Sequence, residues 1–75
     1  MIKIDGSEID INELTFRPCM KHVEIYSTNG EIELDGQIVN GQYYYILRED
    51  DNLSLISRRE FNKKYEFSSF YVKLN

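Results

Sequence analysis

Cys19 and His22 are the residues whose types and spacing come closest to chemistry, since Cys-x-x-His can present a thiolate and an imidazole to one metal ion. Zinc takes three or four protein ligands, and the chain has no second cysteine or histidine to complete a set. As a nucleophile and base the pair would need an orienting group, an oxyanion hole and a pocket, and no spacing supplies them. A buried or semi-buried free thiol and a solvent-facing imidazole are therefore expected. Glu49-Asp50-Asp51-Asn52 offers carboxylates but neither the spacing nor the trailing glutamate of a calcium loop, so it predicts a solvated hairpin turn. No G-x-x-x-x-G-K-[ST] loop and no G-x-G-x-x-G occurs. The expectation is a protein that is not an enzyme, with no cofactor and no metal.

Surface chemistry is better represented. Tyr43, Tyr44 and Tyr45 are consecutive, so strand alternation sends two rings to one face and one to the other. Tyrosine packs a thin sheet with its ring half buried, and it is also enriched at protein interfaces. If Asn29-Gly30 is a two-residue hairpin turn, Ile25 lies opposite Leu34 on a core face and Glu24 lies opposite Asp35 on the other. That second face then gathers Glu24, Tyr26, Glu31, Glu33 and Asp35. A like-charge pair across a ladder costs under about 1 kcal/mol, and a broken local rule is where function is expected. These five residues with Tyr43, Tyr44 and Tyr45 form the predicted partner-binding surface. Charge reversal at Glu24 or Asp35 is expected to leave the fold unchanged or slightly firmer and to weaken binding.

The elements that must position these residues are written by turn signals. Each of the four glycines follows Asp or Asn, at 5–6, 29–30, 35–36 and 40–41, which means closely spaced reversals in a β-rich chain. Residues 1–4 and 8–12 alternate as an opening hairpin, and 14–20, with the only proline, reads as an irregular connection. Strands are predicted at 22–28, 31–35, 42–48 and 53–56. Ser57 and Glu60 form a capping box, with Ile56 and Phe61 spaced as a hydrophobic staple, so a helix should run over about 57–65. Arg58 and Arg59 in its first turn oppose the helix dipole. Residues 67–74 read as a closing strand. The sum is an α+β fold: a small antiparallel, curled or barrel-like sheet with one short helix.

Seventy-five residues make a single small domain, 1–75, burying roughly 60% of the open chain's surface. That leaves little room for a deep substrate cavity. The net charge of −4 argues against a direct nucleic-acid binder. It is unevenly spread: residues 1–57 hold eleven carboxylates and four cations, whereas 58–75 carry +3. Acidic surfaces steer toward basic partners, although net charge of this size also serves solubility. No apolar run approaches membrane-spanning length and no signal-peptide pattern opens the chain. With a single cysteine, a cytoplasmic location is expected.

From Gly41 onward, Gly41-Gln42-Tyr43-Tyr44, Asp51-Asn52-Leu53, Ser57, Phe61 and Tyr65-Glu66 follow one another as strand, polar turn, strand and capped helix. This third of the chain resembles an ending common in small bacteriophage accessory proteins, with Asn40 in place of the usual Pro and Gln42 in place of the usual Asp. It is a packing motif and transfers no active site. Small acidic proteins of that kind resemble inhibitors of host nucleic-acid enzymes, including anti-restriction and anti-CRISPR proteins. The resemblance implies a phage-encoded protein in the host cytoplasm. With the charge and the tyrosines, the expectation is a non-catalytic protein that docks an acidic, tyrosine-bearing face on a basic host protein such as a nuclease. The alternatives are a homodimeric structural module and a small-molecule sponge with a tyrosine-lined site between subunits.

Overall fold

The computed structural model describes residues 2–20 and 22–65. β1 (Ile2–Ile4) and β2 (Ser7–Ile9) form the opening hairpin, joined by Asp5 and Gly6 with φ of 53° and 81°. Asp-Gly tolerates this double positive-φ turn, whose twist matches that of the flanking strands. A 3-10 turn, Ile11–Glu13, follows, and its Asn12 N–H donates to the Asp10 carboxylate at 3.0 Å. The expected irregular connection over 14–20 contains instead a strand, β3 (Arg17–Met20). Pro18 lies on a sheet edge beside a bulge, the setting in which a strand tolerates a missing N–H.

Five more strands follow: β4 (Val23–Tyr26), β5 (Glu31–Leu34), β6 (Gln37–Asn40), β7 (Tyr44–Glu49) and β8 (Asn52–Ser57). The helix α1 spans Arg58–Tyr65. The fold is α+β and antiparallel, as the sequence predicts, but the strands divide between two sheets that do not close into a barrel. One sheet has the order β2-β1-β5-β6, the other β3-β4-β7-β8. β6 has no counterpart among the predicted strands.

This division overturns the predicted 22–35 hairpin. β4 pairs with β3 and β7, whereas β5 pairs with β1 and β6, so the chain changes sheets between them. Asn29-Gly30 is a crossover and not a hairpin turn. A second crossover, at Gly41, runs beside it, and the Gly41 N–H donates to the Gly30 carbonyl at 2.7 Å.

Sheet β3-β4-β7-β8 is buried on both faces. On one, Cys19, Val23, Ile25 and Leu47 pack against Phe61 of α1, with Tyr45, Ile56 and Tyr65 around them. On the other, Ile46 packs against Ile2, Ile32 and Leu34 of the other sheet, with Tyr26, Leu53 and Leu55 at the margin. The molecule is thus a stack of three layers with two cores. Such layering buries the apolar face of each sheet and of the helix against a neighbouring layer, and the middle sheet against both.

The helix starts as the sequence predicts. The Glu60 N–H donates to Ser57 Oγ at 3.1 Å, Ile56 packs beside Phe61, and Phe61 meets Tyr65 at 4.9 Å between ring centroids. Ser57→Ala removes this cap and should lower stability by about 1 kcal/mol. An unmoved urea midpoint would show that the cap contributes nothing. The predicted closing strand, 67–74, lies outside the described residues.

Candidate protein-interaction surface

In sheet β2-β1-β5-β6 the core-facing residues are Ile2, Ile4, Ile32 and Leu34. Period-two alternation turns Lys3, Glu8, Glu31, Glu33, Ile38 and Asn40 to the opposite, outer face. One row across the sheet reads Glu8, Lys3, Glu33, Ile38 by Cα partnership. Lys3 sits between two carboxylates, which favours this register over one placing glutamates side by side. Asp5 and Asp35 stand in the two hairpin turns at positive φ. Asp5 also accepts the Glu31 N–H at 2.9 Å, tying the first turn to β5. Residues 2–10 and 31–40 carry six carboxylates and one cation, or −5 against −4 for the whole chain. Among the described residues no layer covers this face.

The predicted surface residues do not all meet there. Glu31, Glu33 and Asp35 do. Glu24 and Tyr26 lie on the other sheet, so they share no face with the first three. Glu24 stands opposite Arg48, not Asp35, and both Arg48 Nε and Nη2 reach its Oε1 at 2.7 Å. The Arg48 guanidinium also lies 4.1 Å from the Phe16 ring centroid, and Phe16 packs on Tyr26 at 5.9 Å. Tyr45 belongs to the helix-side core, edge-on to Phe61 at 5.3 Å. Tyr44 is half-buried opposite Ser57. Tyr43 alone of the three is well exposed, at 65%, just before β7 begins.

The Glu24–Arg48 pairing reverses the expected outcome of charge reversal. Glu24→Lys puts two cations across the ladder and should lower stability by about 1–2 kcal/mol, a modest figure because both side chains are partly solvated. The double variant with Arg48→Glu should recover most of the loss. A Glu24→Lys variant that melts with the parent would refute the pairing.

Cys19 and His22 occupy different environments. Cys19 is buried under the helix, and desolvation pushes its thiol from 9.0 up to about 11, so it is protonated at neutral pH. His22 stands at φ 67° in the turn after β3, exposed, with Nδ1 3.6 Å from Asp50. One ion served by both would have to enter the apolar core. Asp50 and Asp51, both at positive φ, make the predicted polar turn. Its Asp50 N–H donates to the His22 carbonyl at 3.2 Å, which joins the two turns at that end of the sheet.

Sequence reasoning missed Lys3, Asp5, Glu8 and Ile38 as surface partners of Glu31 and Glu33. Their alternation was legible, but joining β1 to β5 requires a pairing thirty residues apart along the chain, which no local turn signal announces. Compared with known proteins, the chain matches no family model, no curated protein and no solved structure.

Proposed function

We propose that the chain is a non-catalytic binding protein that docks the outer face of the β2-β1-β5-β6 sheet on a basic surface of another protein. The observation that carries this reading is the charge of that layer, −5, on a sheet face that no described element covers. The helix on the far side of the stack carries Arg58, Arg59, Lys63 and Lys64 against Glu60. Opposite charge on the outer layers makes the stack a dipole, which orients the acidic face toward a cationic groove and raises encounter rates. Cationic grooves are the footprint of proteins that bind nucleic acid. Together with the resemblance of residues 41–66 to small phage accessory proteins, this favours a phage-encoded inhibitor of a host nucleic-acid-acting protein, of the anti-restriction or anti-CRISPR kind, working in the host cytoplasm.

The test is affinity capture from a bacterial lysate at low and high salt, with and without competing DNA, beside light scattering of the pure protein. Capture of a nucleic-acid-acting protein, displaced by DNA and by salt and lost in the Glu31→Lys/Glu33→Lys variant, is the expected result. A salt-resistant homodimer with no captured partner would instead favour the structural module.

A further inference from the structure

Among the described residues the β6 strand is an open edge beside the acidic face, and its geometry says how a partner would attach. Asp35 and Gly36, at φ 51° and 82°, make a two-residue turn, so the flanking Leu34–Gln37 pair is hydrogen-bonded and alternate pairs follow. The Gly41 N–H bond to the Gly30 carbonyl at 2.7 Å continues the same alternation at the far end of the ladder. Ile38 and Asn40 therefore aim their backbone groups away from β5. The Asn40 carbonyl accepts the Tyr43 N–H at 2.9 Å, and among the described residues this leaves the Ile38 N–H, the Ile38 carbonyl and the Asn40 N–H at the edge.

Natural edges are blunted by charge, proline or a bulge. β3 has Pro18 and a bulge. β6 reads Gln-Ile-Val-Asn, with none of these, and Ile38 is 58% exposed on the outer face. Beside it lies a shallow depression of about 410 Å³ lined by Ile38, Val39, Asn40, Gly30, Asp5 and Glu31. We infer that β6 accepts an extended basic segment of a partner protein as a further antiparallel strand. This deepens the proposed function, on which it rests.

The chemistry of the segment follows from the surface. Its alternate side chains would stand over Ile38 and Asn40, and Glu33 and Glu31 lie one strand further in. Two strand spacings are roughly 9.6 Å, a gap that a lysine or arginine stem spans by lying along Ile38 while its charge meets a glutamate. The segment is thus one with Lys or Arg at every second position. A second copy of this chain fits less well, because the outer face of its β6 offers Ile38 and Asn40 in place of cations.

The probe is a fluorescein-labelled peptide alternating Lys and Val over about nine residues, the length of a long strand. Binding is read by anisotropy at about 50 mM and about 500 mM NaCl, where screening differs several-fold. The parent should bind it, more weakly at high salt, and the Ile38 amide should become protected from hydrogen exchange on binding. Ile38→Pro removes the outward N–H without touching the β5 ladder and should weaken binding by about tenfold or more while the melting temperature holds. Ile38→Ala keeps the N–H and should lose less. Absence of binding overturns the inference, as does protection of the Ile38 amide before peptide is added, which would mean the edge is already occupied. Should Ile38→Pro fold poorly, amide protection in the parent still decides. Salt-sensitive binding untouched by folded Ile38→Pro, with the Ile38 amide exposed throughout, retires the edge strand but leaves the acidic face standing.

Discussion

Phe61→Ala should cost about 3–5 kcal/mol, the range for emptying a fully buried aromatic site. The ring is 0% exposed and stands at the centre of the helix-side core, between Tyr45 at 5.3 Å and Tyr65 at 4.9 Å. It is also the only fully buried residue of α1, so it is the main anchor of that helix, with Tyr65 packing beside it and Arg58 over Tyr45. A domain of this length has roughly 4–11 kcal/mol of stability in all, so the variant should be close to unfolding at room temperature. The melting temperature should fall by more than about 12 °C at 4–8 °C per kcal/mol. A fall under about 5 °C would mean that the helix does not dock on sheet β3-β4-β7-β8. Phe61→Leu, which keeps much of the volume, should lose much less.

Gly41→Ala should cost about 2–3 kcal/mol for a different reason. A Cβ at this buried position would fall on the carbonyl oxygens of Thr28 and Gly30, both backbone atoms that cannot swing aside. Relieving the clash separates the two crossovers and strains the Gly41 N–H bond to Gly30. It also disturbs Arg58, whose Nη2 donates to the Gly41 carbonyl at 2.8 Å and the Thr28 carbonyl at 3.4 Å. Chemical denaturation reads the loss directly. A Gly41→Ala protein as stable as the parent would show that the crossovers do not approach as closely as they do here.

Arg58 shows why a local rule can be broken without a functional cause. In sequence it opposes the helix dipole. In the fold it lies over Tyr45, 4.7 Å from the ring centroid, and bridges the two crossovers while its own N–H donates to the Tyr43 carbonyl at 2.9 Å. The Glu24–Asp35 conflict has a related explanation. It existed only in a hairpin that does not form, and the true partner, Arg48, satisfies the carboxylate. The electrostatic cost noted in the sequence was evidence against the pairing itself.

What the sequence determined alone is what neighbours along the chain decide. The Asp5-Gly6 and Asp50-Asp51 turns, the helix from its Ser57 cap to Tyr65, the antiparallel α+β class and the buried columns at Val23, Ile25 and Leu34 all follow from spacings of a few residues. The tertiary structure decided which strands pair. Asn-Gly signals either a hairpin turn or a close backbone approach, and only the packing of Gly30 against Gly41 selects the second. Strand alternation names two faces but not the element that covers each. The acidic layer and the open β6 edge therefore came into view only once β1, β5 and β6 were joined by long-range pairing, whose closure entropy is repaid by burial of Ile2, Ile32 and Leu34 against Ile46.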